Sequence, residues 1–536
     1  MTEATQMATT TKMLRSTSTI AAAALLSACA GLNKELLDAQ LPDIPDQWTA
    51  DADAGDIPAG DWVAAFNDDT LYALIDEALA RNNSLLAAAA NLEQAHANAR
   101  ITRADLLPSL NTSFNAARNA IVTDPTFAAQ AGGGDSTLSG LRAQDLEDQF
   151  GVDFDNDGNL DGLDFDGDGI AEQDLPNRRL YINNFSFGAQ IRWEIDIWGR
   201  LTDETRAAYR EANAAEADLA GIELSLAGRV AQGWFALVEA RQQRELTQRD
   251  ISARERNLRV TERRYDRGVA SSLDVRLSRS ALRTSQSNLA LRQRLELEAS
   301  RGLEVLLGRY PAAELEAASA LPELPPLDGA GAPGEILARR PDLIASEARM
   351  EASGLRARAA RKQMLPQITL SSQLTTSGPE LSDLIDPERL AGNLAGGLIQ
   401  PVFQGGRLRA NSKRARAAAE ASLYNYAQTV LTAYQEAENA LAAENLLAQQ
   451  EEALRLAFVE AAAAEEITER RYANGAASIF NLLDAQTRKI SSESQYIQAQ
   501  QQRVSNRVQV YLAIGGDFHT DRKFLANEDE PQLETL

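Results

Sequence analysis

Small apolar side chains recur at helical spacing among Glu, Arg and Gln over most of this chain, and few prolines or glycines interrupt them. Such spacing predicts helices with a narrow packing stripe. The longest begins at Gly199-Arg200-Leu201 and runs to Arg264, ~95 Å at the α-helical rise and several times a globular helix. Shorter helices are predicted over 61–80, with Trp62, Phe66, Leu71, Leu74 and Leu79 as the stripe, over 84–107 and over 272–307. Pro108 stops the second and Gly308 the third, because the residue before proline disfavours helix and glycine suits a helix end. After Pro108 the period changes to two. Phe185, Phe187, Ala189, Ile191, Trp193, Ile195 and Ile197 alternate with Ser186, Gly188, Gln190, Arg192, Glu194 and Asp196. That puts the apolar set on one face of a strand and the polar set on the other. Strands with weaker alternation are predicted at 110–117, 367–375 and 393–403.

The pattern then starts again. Arg339-Arg340-Pro341-Asp342-Leu343 opens an Ala-rich helix ending at Pro366, and Gly406-Arg407-Leu408 opens a second long helix. Gly199, Gly268 and Gly308 recur 207 positions later as Gly406, Gly475 and Gly515, so two halves build one unit with one set of lengths. Each long helix closes on Arg-Tyr, Arg264-Tyr265 in the first half and Arg471-Tyr472 in the second. Gly268 or Gly475 follows as a helix end, then Ser271 or Ser478 as the N-cap of the next helix. Each stretch predicts the tip of a helical hairpin. The chain thus reads as a signal at 1–28, an extended arm at 29–60, a first repeat at 61–308 with a loop inserted at 118–180, a Pro- and Ala-rich linker at 309–338, a second repeat at 339–516 and a tail at 517–536.

In each half, the helix before the proline and the helix after the tip, laid end to end, span roughly 85–90 Å, near the length of the long helix. The predicted fold class is mainly α with a small β part. Each repeat is a long helix beside a coaxial pair, with a two-strand hairpin at the end away from the tip. Four strands cannot close a barrel, since about eight are the practical minimum, and open edges are not tolerated in lipid. The 185–197 strand has the length and one-sided polarity of a bilayer-crossing strand. Copies of the chain must then complete the wall.

Charge and composition narrow this picture. A net charge of −24 makes nucleic acid a poor partner. His96 and His519 are far apart and there is one cysteine, so a zinc or haem site has little to build on. No P-loop, Gly-x-Ser-x-Gly elbow or His-Glu-x-x-His is present, and Gly329 to Gly334 fits a dinucleotide fingerprint without the strand it requires. The chain is predicted not to be an enzyme and to need no cofactor. Leu26-Ser27-Ala28-Cys29 follows an apolar run that itself follows Lys12 and Arg15, the order of an export signal. Translation starts at Met1, Met7 or Met13 are all compatible with it.

On these residues the sequence resembles the outer membrane factor family, the TolC-like channel proteins of efflux and secretion. The likeness covers Trp62 to Gly516 and rests on Arg339-Arg340-Pro341-Asp342, both Gly-Arg-Leu helix starts and both Arg-Tyr-x-x-Gly tips, behind a lipobox at Cys29. It implies a homotrimer in the outer membrane of a Gram-negative bacterium, with a shared twelve-stranded β-barrel continued by a periplasmic α-barrel. Cys29 would carry the lipid anchor. Partners implied are a periplasmic adaptor, an inner-membrane transporter driven by protons, and outer membrane lipid. The implied function is the outer membrane channel of a tripartite efflux system, a passive conduit for drugs or other small molecules. Matched onto this chain, the channel constriction falls on Asp484, Asn481 and Asp274, with Arg264, Arg471, Tyr265 and Tyr472 as latch partners. Adaptor docking falls on Gly268, Val269, Ala270 and Ser271 and on Gly475, Ala476, Ala477 and Ser478. The alternatives are a duct for polypeptide secretion and, from another class, an extended coiled-coil surface lipoprotein.

The loop inserted in the first repeat has no counterpart in the second. Within it Asp153, Asp155, Asp157, Asn159, Asp161 and Asp164, with Gly158 at the sixth position, match the oxygen spacing of a calcium loop. The last ligand is Asp in place of Glu, and flanking helices are missing. The competing reading is an acidic loop without a ligand.

Overall fold

The computed structural model describes residues 45, 47–50, 62–123, 178–325, 327 and 329–516. Cys29 and its signal, most of the arm, the Asp153–Asp164 stretch and the tail at 517–536 lie outside the described residues. The chain is mainly α with a small β part and divides into two compact units. One takes the described residues of 1–103, 199–364 and 403–536, the other those of 104–198 and 365–402.

The first unit is helical. It contains α1 (Asp69–Arg81), α2 (Asn83–Ala104), α3 (Arg200–Asp266), α4 (Ser272–Leu306), α5 (Pro341–Lys362), α6 (Arg407–Ala473) and α7 (Ile479–Ala513). Equivalent helices have equal lengths: 67 residues in α3 and α6, 22 in α2 and α5, 35 in α4 and α7. The short helices abut end to end. At the first junction Asn82 Nδ2 donates to the Leu306 carbonyl at 2.8 Å, while the Asn82 side chain caps α2. At the second, Arg340 donates to the Ala513 carbonyl and also holds Asp342 and Glu436. Gly308 and Gly515 both have φ 72°, and a Cβ on Gly308 would meet the Arg81 carbonyl oxygen at 2.6 Å. Glycine at these two joints therefore serves both the backbone turn and the close approach.

The expected single helix over 61–80 is two pieces. Trp62–Phe66 forms a 3₁₀ turn, Asn67 takes φ 48°, and Asp68 caps α1 by accepting from the Thr70 and Leu71 amides. The apolar stripe runs across the break, so spacing alone hides it. Trp62 stacks on Tyr511 with ring centroids 5.9 Å apart, and Phe66 meets Phe235 at 5.2 Å. This aromatic knot belongs to the main core, onto which Leu315, Leu321 and Leu324 of the linker also pack.

Burial is unequal between the repeats. Of equal-length partners, α3 buries 24 residues and α6 buries 11; α7 buries 12 and α4 buries 6; α5 buries 9 and α2 buries 3. The reason is position. Helix α3 lies against α1, α4, α5 and α7, whereas α6 lies against α5 and α7. The row of hairpins is α4, α3, α7, α6, and it ends at α4 on one side and α6 on the other.

The second unit is one antiparallel sheet in the order β1 (Ser109–Thr123), β2 (Arg178–Ile195), β3 (Gln367–Gly378), β4 (Ala391–Ile399). Register pairs Leu110 with Ile191, Phe114 with Phe187, Ala189 with Leu374 and Trp193 with Leu370. Leu110, Phe114, Phe187, Ile191, Leu374, Leu394 and Leu398 are all exposed on that face, and Asn111, Ser113, Gln190 and Gln373 lie on the other. The strand bounds differ from expectation. Residues 118–123 and 178–184 were expected outside the strands but pair through Thr123↔Arg178. β2 stops at Ile195 because the Ile197 amide turns back to the Ile195 carbonyl and Trp198 Nε1 donates to the Pro366 carbonyl at 2.7 Å. β4 stops at Ile399, not Phe403, since Pro401 has no N–H for the ladder. Among the described residues no helix is long and apolar enough to cross a membrane.

Candidate functional site

The two hairpin tips gather most of the residues singled out above. In the first, α3 ends at Asp266, Gly268 takes φ 73°, and the Val269 amide reaches back to the Arg264 carbonyl at 2.8 Å. In the second, Gly475 takes φ 78° and the Ala476 amide reaches the Arg471 carbonyl at 2.8 Å. Six-to-one bonds of this kind close a helix on glycine. The next helix starts on a serine each time. Ser271 and Asp274 form a full capping box, with the Ser271 amide donating to Asp274 Oδ2 at 2.9 Å and Asp274's amide donating to Ser271 Oγ at 3.2 Å. At the second tip Ser478 Oγ accepts from the Asn481 amide and donates to Asn481 Oδ1 at 3.1 Å. Asp274 and Asn481 hold equivalent places, and both side chains serve their caps. Val269 stays exposed, as do Gly268, Ser271, Gly475, Ala476 and Ser478; Ala270 and Ala477 are half-buried.

Of the four expected latch residues, the fold joins two. The Arg264 guanidinium stacks over the Tyr472 ring at 4.8 Å and donates to the Tyr472 carbonyl. The Tyr472 hydroxyl meets Thr261 Oγ1 at 2.9 Å, and Ser278 Oγ lies 3.5 Å from the same Thr261 oxygen. Tyr472 is 4 % exposed and packs with Ile479 and Leu482, flanked by Val260 and Leu277. The other two residues do not meet. Tyr265 is 48 % exposed and Arg471 is exposed.

Asp484 is exposed and pairs with Arg488 on its own helix at 2.8 Å, and the carboxylate raises the guanidinium pKa above its ordinary value. Both line a groove of about 500 Å³ between α6 and α7, with Ala464, Thr468, Phe480 and Ala485. The charge that Asp484 would bring to a constriction is therefore already matched within the chain. Among the described residues no His, Cys, Asp and Glu cluster is placed to hold a metal ion.

Thr261 and Ser278 were missed in the sequence. For Thr261 the signal lay just upstream of the tip motif, where Thr-Glu-Arg-Arg-Tyr occurs at 261–265 and, unchanged, at 468–472; Ser278 has Ala485 as its counterpart and carries no such mark. Thr261 and Thr468 also make the same back-bond, to the Asn257 carbonyl at 2.9 Å and to the Ala464 carbonyl at 2.7 Å.

The family model described as outer membrane efflux protein matches residues 74–148, 163–309 and 332–516. The chain is 30% identical over 526 residues to the pyoverdine export outer membrane protein OpmQ of Pseudomonas aeruginosa, covering 96% of this chain and 100% of that one. It is 26% identical over 455 residues to the toluene efflux pump outer membrane protein TtgF of Pseudomonas putida, covering 85% of each. Among solved structures, the outer-membrane channel OprN superposes with a TM-score of 0.72 at 24% identity, over 89% of this chain and 98% of that one.

Proposed function

The chain belongs to the outer membrane efflux protein family, and from that premise we propose that three copies close a twelve-stranded barrel and a helical tunnel that carries small molecules outward. It is an outer membrane efflux channel protein and not an enzyme. One observation carries the trimeric reading: the four-stranded sheet exposes an apolar face and leaves β1 and β4 as its edges. An exposed apolar face suits lipid, and an unpaired strand edge does not. The half-buried state of α2, α4 and α6 points the same way, because each is the counterpart of a helix that has its full set of neighbours. The cargo is proposed as an organic solute or drug, in keeping with the pyoverdine and toluene named for its relatives.

The tips are proposed as the periplasmic constriction and as the docking surface for an adaptor that links the trimer to a proton-driven inner-membrane transporter. The small exposed residues at 268–271 and 475–478 let a partner helix approach the backbone. Cys29 is proposed as the acylated residue, and Asp153 to Asp164 as a weak calcium loop.

The full chain extracted in detergent is expected to have the native mass of a trimer and to form channels in planar bilayers. Asp484→Ala, which frees Arg488 at the groove, is expected to raise single-channel conductance. A monomer that stays in water without detergent would overturn the reading, and an unchanged conductance would remove Asp484 from the constriction.

A further inference from the structure

The joint between α3 and α7 can be compared with what its repeat counterpart offers. In this joint Tyr472 fills a seat between α3 and α4 made by Val260, Thr261, Leu277 and Ser278, with Arg264 over its ring. Higher up, Gln243 Nε2 donates to the Ser494 carbonyl at 3.0 Å and Ser494 Oγ donates to Gln243 Oε1 at 2.8 Å. Moved by 207 positions, the seat falls between α6 and α7 at Ile467, Thr468, Asp484 and Ala485, under Arg471. That place is the groove of about 500 Å³, and Ile467 is 50% exposed beside it. The residue equivalent to Tyr472 is Tyr265, at the opposite end of the row of helices. Gln243 and Ser494 map onto Gln450 and Ser287, both exposed.

Thr, Arg, Tyr, Gln and Ser are thus the same residue types in the filled joint and in the open one. The open one has its two halves on different edges, the seat on α6 and the tyrosine at the α3–α4 tip. Within a single chain those edges are separated by α3 and α7, so the halves can meet only across a boundary between copies.

We propose that Tyr265 of one copy enters the Thr468 groove of the next, beneath Arg471, and that Ser287 of the first copy pairs with Gln450 of the second. This rests on the trimeric reading above and names the contacts by which the ring closes. Asp484 stands where Leu277 stands in the filled seat, so it adds a carboxylate acceptor for the incoming hydroxyl. Exchange of Arg488 for that hydroxyl couples the subunit joint to the charge at the tip. A buried aromatic with a cation over its ring and a hydrogen-bonded hydroxyl is a strong local anchor.

The test uses the full-length chain in detergent with paired cysteines and a short thiol-to-thiol cross-linker. Tyr265→Cys with Thr468→Cys, and Ser287→Cys with Gln450→Cys, are expected to give covalent dimers and trimers on denaturing gels. Gln243→Cys with Ser494→Cys is expected to link within one chain and run as a monomer. Each single variant, run in parallel, excludes linkage through Cys29 and is expected to give no ladder. A native trimer in which the Gln243/Ser494 pair reacts while both edge pairs do not would overturn this inference and leave the trimer standing. A ladder from the Ser287/Gln450 pair alone would overturn the tyrosine seat. A native monomer would overturn the trimeric reading itself.

Discussion

Helices α3 and α6 have the same length, the same place in their repeats and the same closing pentapeptide, yet α3 buries 24 residues and α6 buries 11. The difference lies in their neighbours. A long helix in a row is stabilised by the faces it covers, and its own propensity contributes little beyond that. The inner joint is complete within the chain; the outer helices carry matching halves of the same joint on opposite sides. Identical residues therefore play two roles in the single chain: Tyr472 is core, and Tyr265, its equal in sequence, is surface.

The largest effect that sharpens this comparison is expected where the repeats solve one packing problem differently. In the second repeat Glu444 accepts from Arg507 at 2.6 Å, and Arg507 also donates to the Pro325 carbonyl at 2.8 Å. Both side chains are buried, and the equivalent first-repeat positions are Leu237 and Ser300. Arg507→Met alone leaves the buried Glu444 carboxylate only Asn506 Nδ2 at 3.3 Å and the more distant Arg503 at 3.8 Å and is expected to cost about 3 kcal/mol, whereas Glu444→Leu with Arg507→Ser, the first repeat's own choice, recovers most of it. Thermal dissociation midpoints of the two variants check this. A double variant no better than the single one would show that the repeats are not interchangeable here.

A smaller effect separates the two tyrosines directly. Tyr472→Phe loses the hydrogen bond to Thr261 and is expected to cost about 1 kcal/mol of helical-unit stability. Tyr265→Phe is expected to leave that stability unchanged and to weaken subunit association. Denaturant melts followed by helical circular dichroism, together with native mass at low protein concentration, read the two outcomes apart. Equal losses of helical stability would place Tyr265 in the chain's own core.

Much of this architecture was legible from residue spacing. The constant offset of Gly199, Gly268 and Gly308 predicts the two hairpins, and the alternation from Phe185 predicts the strand and its apolar face. What escaped has physical causes. The break at Asn67 hides because the apolar stripe continues through it, while the cap that makes it, Asp68, is one acid among many. The extension of β1 to Thr123 depends on cross-strand pairing with Arg178, a tertiary fact that β1 alone does not encode. At the tips, Arg-Tyr-x-x-Gly was visible but the role of Thr261 was not, because the repeated Thr-Glu-Arg-Arg-Tyr marks the threonine without saying what its hydroxyl meets. Which of the two tyrosines is buried was also beyond the sequence, since Thr-Glu-Arg-Arg-Tyr is identical in both repeats and the differing seat residues, such as Leu277 and Asp484, lie on the helix after each tip.

The smallest predicted effect tests the inner helix against its counterpart once more. Glu223 of α3 occupies the place of Val430 in α6, a valine that is 1% exposed. Burial pushes the Glu223 carboxyl above its ordinary pKa. A carboxyl raised in the folded state binds its proton more tightly there than in the unfolded chain. Its penalty is absent while both states are protonated, grows as pH rises from the ordinary carboxylate value through the raised one, and is constant above. Glu223→Gln is therefore expected to stabilise the protein at neutral pH, and the gain should fade as pH drops into the ordinary carboxylate range. Because the group is only partly buried, solvent screening keeps the gain below about 1 kcal/mol, or about 1–2 °C in the midpoint. A gain that persists undiminished in acid would mean that the substitution acts through packing, and that Glu223 is not strained by its charge.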